Sequence, residues 1–323
     1  MKMIDLKSYD KIIVFFSGGK DSLACLLNLI DLSVDMSKVE LWHHEIDGRE
    51  GSTLMDWPIT PDYCRKLAVA FGLPIYFSWK VGGFEREMLR DQSLTSPTKF
   101  ETPNEGIKQI GGTRGKENTR LKFPQVSANL SVRWCSAYLK IDVASAAIRN
   151  QKRFDHSRTL VISGERAEES PARANYKTFE PDRSDNRTGR IGRHVDRWRP
   201  IHKWTEGEVW EIAKKHHINP HPAYKLGWGR VSCQFCIFGS DNQWRTAQSV
   251  SPERMGILEK YEDSFALTIH RSKTISERCE AGTPYEMRQE DIDSALSTTY
   301  NEPVIVDNWQ LPTGAFGESC GPT

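Results

Sequence analysis

The sequence has no apolar run long enough to cross a membrane, and its first residues, MKMIDLKSYDK, lack the apolar stretch of a secretory signal. A cytoplasmic location is therefore expected. It also lacks an excess of charge: 44 Lys and Arg stand against 43 Asp and Glu, a formal net charge of +1. No global attraction to nucleic acid follows from that balance, so any basic surface has to be local. Cysteine is sparse and odd in number, seven in 323 residues, which argues against a disulfide framework and for a reducing compartment. No internal repeat is present. What remains is 38% hydrophobic and 27% charged, the composition of an ordinary globular protein, long enough for one large α/β domain or two smaller ones.

Along the first two thirds, strand and helix signals alternate. KIIVFF (11–16) reads as a buried strand and DSLACLLNLIDL (21–32) as a helix with apolar residues three and four apart. VELWHHEID (39–47) and LPIYFSW (73–79) read as strands, PDYCRKLAVAFG (61–72) and KIDVASAAIRN (140–150) as helices, and TLVISGERAEES (159–170) as a strand that breaks at a glycine. That order predicts an α/β fold, a doubly wound and mostly parallel sheet with helices on both faces. Such sheets bind ligands at the carboxyl ends of their strands, where SGGKDS, HHEIDG and SGERAEES all fall. Residues 91–132 and the arginine-dense residues 171–197 resist assignment; the first reads as a lid or substrate arm. A soft boundary near residue 210 separates a nucleotide-binding region, 1–210, from a cysteine-bearing C-terminal region, 211–323, with a Gly/Pro-rich tail.

SGGKDS carries the chemistry. Gly18 and Gly19 let the backbone turn tightly and present N–H groups, and the helix that follows adds its N-terminal partial positive charge, so the turn can hold a phosphate. Ser17 and Ser22 can donate, Lys20 can neutralise charge, and Asp21 suits a magnesium ion or a helix cap. The spacing is too short for the GxxxxGK[ST] phosphate loop. In SGERAEES, Gly164 permits close approach, Arg166 and Arg173 can pair with phosphate in a fork, and Ser170 can donate. Glu/Arg pairs on a solvated helix start would look alike.

SGGKDS in this setting resembles the signature loop of the PP-loop ATP pyrophosphatases, whose fold is that of the adenine nucleotide alpha hydrolases. RWCSAYLK (133–140), SGERAEESPARA (163–174), WRPI (198–201), WTEGEVW (204–210) and RVSCQFC (230–236) resemble the phosphoadenosine phosphosulfate reductase branch, and within it the ATP-using, cysteine-bearing members such as the C component of DNA phosphorothioation systems. The likeness spans roughly residues 11–240. It implies binding of ATP with Mg2+ by Ser17, Gly18, Gly19, Lys20, Asp21, Ser22, Gly164, Arg166, Ser170 and Arg173. Cleavage between the α and β phosphates then adenylates a substrate, with Lys20, Asp21 and Arg166 as the catalytic set.

The reductases of this branch lack the Lys-Asp pair of the loop and carry a tail reading Glu-Cys-Gly. This chain keeps Lys20 and Asp21, and its tail reads Glu318-Ser319-Cys320-Gly321, so Cys320 is a candidate redox or persulfide thiol. Cys233 and Cys236 form a CxxC, and with Cys135 they are candidate ligands of a [4Fe–4S] cluster; three leave one iron free, as the resemblance to PP-loop tRNA thiolases implies, whereas a fourth from Cys279, Cys25 or Cys64 would close it. Zinc on the same cysteines is the alternative. Cys25 and Cys64 sit inside helical stretches and read as core packing.

His43 and His44 read as a solvated pair. Arg183, Arg187, Arg190, Arg193 and Arg197, interleaved with Tyr176, Phe179 and Trp198, read either as a nucleic-acid track or as a loop balanced by Asp182, Asp185 and Asp196. The expected function is ATP-dependent adenylation that activates a substrate for sulfur transfer. Its expected partners are a sulfur donor such as a cysteine desulfurase, a nucleic-acid acceptor and a second copy of the chain. The rivals are a reductase of adenylyl sulfate or its phosphorylated form, an enzyme like sulfate adenylyltransferase, and a non-catalytic nucleotide sensor.

Overall fold

The structure, a computed structural model, describes residues 4–51 and 53–318. Cys320 lies outside the described residues. Eight strands form one sheet: β1 (Lys11–Phe15), β2 (Val39–Glu45), β3 (Ile75–Lys80), β4 (Thr98–Thr102), β5 (Gly106–Ile110), β6 (Arg158–Ile162), β7 (Phe179–Pro181) and β8 (His194–Trp198). Their order is β5–β4–β3–β2–β1–β6–β8–β7. The five central strands β3, β2, β1, β6 and β8 run parallel, and β4, β5 and β7 are antiparallel additions at the edges. The expected α/β class, with a mostly parallel sheet, is therefore observed.

β1 is β-branched at three consecutive positions and buried on both faces. Ile12 and Val14 point into the larger core, while Ile13 points into a second cluster with Trp42, Val161 and Val195. Helix α1 (Lys20–Asp31) follows at once and buries Leu23, Leu26, Leu27 and Leu29. Each such leucine contributes about 1.5–3 kcal/mol of burial free energy. Helix α2 (Thr60–Ala70) starts with proline in its first turn and buries Tyr63, Cys64 and Leu67. The chain lays β2 and β3 on one side of β1 and β6 and β8 on the other. The order thus reverses between β1 and β6, and a crevice opens beyond the carboxyl ends of those two strands.

Two segments differ from the sequence reading. Residues 91–132 are not all loop, because β4 and β5 pair as a hairpin through residues 103–105 and lengthen the sheet. Residues 171–197 contain β7 and most of β8, and their arginines are held by carboxylates. Arg187 pairs with Asp185 and Asp196, Arg193 with Asp155, and Arg197 with Asp182; Arg190 is exposed.

Residue 210 falls inside the helix Glu206–Lys215. A capping box between Thr205 and Glu208 opens that helix, and it packs along α1. The larger core continues from α1 into the helices Asp241–Val250, Pro252–Phe265 and Ile275–Ala281. No described helix is long and apolar enough to cross a membrane.

Candidate nucleotide and thiol site

The turn after β1 is shaped by what lies behind it. Gly18 has φ +78°, and a Cβ there would come within 3.0 Å of Cys64 Sγ and 3.3 Å of the Tyr63 ring. The two serines brace the turn: the Ser17 N–H donates to Ser22 Oγ (3.2 Å), the Gly19 N–H to Ser17 Oγ (3.3 Å), and Ser22 Oγ to Gly19 O (2.9 Å). Gly19 is the N-cap of α1 and has no side chain to cover the helix end. A cavity of about 400 Å3 opens in front, lined by Ser17, Gly19, Asp21 and Ser22 from the loop and by the ends of β1, β2 and β6. That volume suits a nucleotide-sized ligand.

Gly164, just past β6, lies against the start of α1. A Cβ there would meet Asp21 C and O at 2.9 Å, so the two strand-end loops touch through bare backbone. Asp21 Oδ1 accepts from Arg166 Nε at 2.5 Å, and Arg166 also pairs with Glu168. The sequence-derived residues then divide. Ser17, Gly19, Asp21, Ser22, Gly164 and Arg173 line the cavity.

Lys20, Arg166 and Ser170 stand behind the wall instead. The Lys20 ammonium donates to Gly229 O at 2.6 Å and lies 3.5 Å from Glu206. Arg166 is buried and paired with Asp21 and Glu168. Ser170 Oγ accepts from the Arg173 N–H and so caps the short helix Pro171–Ala174.

Further cations complete the wall, of which only Arg197 is singled out from sequence, and there as part of the arginine track. Arg133, Lys140, Arg197 and Arg230 join Arg173 there. Lys140 belongs to a wide π turn, Ala137–Ile141, inserted between the start of this helical stretch and its regular part, Asp142–Arg149. The motif RWCSAYLK contains both Arg133 and Lys140, but nothing in helical spacing indicates that they face a shared cavity.

The histidine pair is not freely solvated: His43 is buried and His44 half-buried, both at the cavity wall. His43 is 3% exposed and its Nδ1 lies 2.8 Å from Phe16 O; since a carbonyl only accepts, Nδ1 carries the proton. His44 Nδ1 meets Ser78 Oγ at 2.7 Å. Burial lowers His43 to about 4 and His44 to about 3, so both rings are neutral at physiological pH.

A second cavity, of about 90 Å3, is lined by Cys135, Cys233 and Cys236. It shares Arg133, Lys140, Arg173, Arg230, Ser232 and Cys233 with the larger one, so the two adjoin. Burial, reinforced by Cys236, raises Cys135 to about 11; burial, with Asp56 adding, raises Cys233 well above the usual thiol range. Both are protonated thiols at neutral pH, and a metal would have to displace those protons.

Three thiols around one cavity fit a thiophilic metal or cluster in donor type. Among the described residues, however, no three His, Cys, Asp or Glu side chains stand as a metal-binding group. Cys279 is apart from that cavity: its thiol donates to Trp244 O at 3.5 Å within the packing of Ile275–Ala281 on Asp241–Val250. Cys25 and Cys64 are fully buried core residues.

Two comparisons place this arrangement among known proteins. Residues 108–238 match the phosphoadenosine phosphosulfate reductase domain, a stretch that includes the π turn, the loop after β6 and the CxxC. An uncharacterized 37.8 kDa protein of Escherichia phage 186, encoded in the gpa 5' region, is 33% identical over 276 residues, covering 81% of this chain and 77% of the phage protein. With a nucleotide-sized cavity at the β1/β6 switch point, the chain belongs to the family of the phage 186 protein and carries, over residues 108–238, a domain of the phosphoadenosine phosphosulfate reductase type, which implies a nucleotide-using enzyme.

Proposed function

We propose that the protein adenylates a substrate with ATP and prepares it for sulfur transfer. The observation that carries this reading is the adjoining of the two cavities, with Cys233 on the wall of both. Ser17, Gly19 and Ser22 hold the phosphates at the start of α1, and Asp21 would hold the accompanying magnesium, which would screen phosphate charge. Arg173 and Arg230, which line the cavity, take the charge that gathers on the departing pyrophosphate. Lys20 and Arg166 act from behind, fixing the loop. A substrate oxygen attacks the α phosphorus, the bond from that phosphorus to the bridging oxygen breaks, and pyrophosphate leaves with the bonding pair. Sulfur entering at the sulfide level then displaces AMP from the adenylated carbon or phosphorus, with no net change of oxidation state.

Cys135, Cys233 and Cys236 would hold a [4Fe–4S] cluster, which supplies an iron site where such sulfur can bind. The exposed cations Arg114, Lys116 and Lys122 support a nucleic-acid acceptor, because their segment continues into the cavity wall at Ala128 and Leu130. A cysteine desulfurase is the class of donor that fits, with a thiol reductant supplying the two electrons that bring its persulfide sulfur to the sulfide level.

A second reading, reduction of an adenylyl sulfate, draws support from the matched reductase domain and from the tail. Glu318, two residues before Cys320, is bonded to Asn242 (2.7 Å) and Tyr285 (2.9 Å), and its carbonyl lies against Gly229 beside the partner of Lys20. Anaerobic isolation with iron, sulfide and zinc assays separates the readings. Roughly four irons and four sulfides per chain, lost on Cys233→Ser, are expected for sulfur transfer. Metal-free protein that reduces adenylyl sulfate without ATP would establish the second reading instead.

A further inference from the structure

The segment Tyr224–Cys233 runs from the phosphate loop to the thiol cavity, and it meets the loop at the Tyr224 hydroxyl and at Gly229 O. The N–H of Lys20, the first residue of α1, donates to Tyr224 Oη at 2.8 Å, and the N–H of Val231 donates to the same oxygen at 3.4 Å. An oxygen that accepts two hydrogen bonds keeps its own proton to donate. No bond from that proton to a described residue is formed. Tyr224 is 1% exposed, yet it lines the 400 Å3 cavity, which leaves the cavity as the direction for the proton.

The hydroxyl also stands where the amides at the start of α1 converge, since a Cβ on Gly19 would lie 3.4 Å from it. Burial, with the Asp21 charge adding to it, pushes the phenol well above its usual range, so it remains a donor at any physiological pH.

We infer that Tyr224 donates its hydroxyl proton to a phosphate oxygen of the bound nucleotide, adding a side-chain donor to the N-terminus of α1. The inference rests on the nucleotide reading of this cavity and assigns a phosphate-binding role to a residue outside the SGGKDS loop. It also gives the loop a physical link to the thiols. The oxygen that receives the Lys20 and Val231 amides belongs to the same segment as Cys233, and the Lys20 ammonium holds Gly229 within it. A phosphate that engages the hydroxyl therefore bears on that segment directly.

The experiment is calorimetric titration of wild type, Tyr224→Phe and Tyr224→Gln with adenosine, pyrophosphate and the α,β-methylene analogue of ATP, which cannot be cleaved at the reacting bond. Urea midpoints are recorded alongside. The expected result for Tyr224→Phe is about 10-fold weaker binding of pyrophosphate and of the analogue, with adenosine unchanged. Should the phenylalanine variant not fold, the glutamine variant is read in the same way, because its shorter amide loses the reach to phosphate. A variant that folds and binds all three probes as wild type does overturns the inference, as does one that loses adenosine as strongly as pyrophosphate. Wild type that binds neither phosphate probe removes the nucleotide reading itself.

Discussion

Gly164 shows how one residue can set the distance between two functional loops. A methyl group there would press on the Asp21 backbone, where nothing flexible can give way. Gly164→Ala is expected to cost about 1–3 kcal/mol in urea unfolding and to loosen the pairing of Asp21 with Arg166. Lys140 shows a different residue-scale effect. Its charge faces the thiol cavity and lowers the pKa of Cys135 and of Cys233 against the larger upward push of burial. Lys140→Met should therefore raise both thiols and slow their alkylation at pH 8 by roughly 3-fold or more. Unchanged alkylation rates would show that the ammonium does not act on the thiols. The sequence displayed Lys140 inside RWCSAYLK but could not display this role, which comes from the π turn that redirects it.

At the scale of elements, the strands and helices that build the sheet centre were readable because their patterns are local: a β-branched run before Ser-Gly-Gly, then leucines three and four apart. The hairpin β4–β5 escaped because its strands are short and carry Thr, Lys, Glu and Gln rather than an apolar alternation. The histidines of β2 were misread because polarity alone says nothing about burial. Their burial has a consequence for pH. His43, His44 and His221 are neutral in the fold, lowered by burial to about 4, 3 and 3 respectively. For His221 the geometry agrees: its Nδ1 accepts from the Ala223 N–H, which protonation would forbid.

Each of these rings takes up a proton more readily unfolded than folded. Stability is therefore fully present above about pH 6.5 and is lost as pH falls toward 4 and below. Asp47 works in the opposite sense. Burial raises it to about 7, so it gains stability as pH falls from 7 toward its unfolded value. Burial raises Asp56, Glu45 and Glu262 as well, and these carboxyls offset part of the loss from the three histidines. A urea midpoint falling between pH 7 and pH 5, and falling less in His221→Gln, is expected. A flat profile would place these rings in contact with water.

For the molecule as a whole, the C-terminal part holds the loop that the N-terminal part supplies. Tyr224 and Gly229 take the Lys20 amide and ammonium, while Arg254 donates to Leu54 O and Asp56 O on the rim. A fragment ending at residue 210 would lose all four contacts and cut the helix that packs on α1. It is expected to show no cooperative unfolding transition, whereas a sharp transition would make 1–210 an independent folding unit.

The central claim, that the loop after β1 directs cleavage of ATP between its α and β phosphates beside a thiol cavity, is tested most directly by the fate of γ-labelled ATP. The protein is incubated with labelled ATP, magnesium and bulk DNA or RNA, and the products are separated. Label released as pyrophosphate, and lost in Asp21→Asn, is the predicted result. Label released as orthophosphate, or pyrophosphate release unchanged in that variant, would contradict the account.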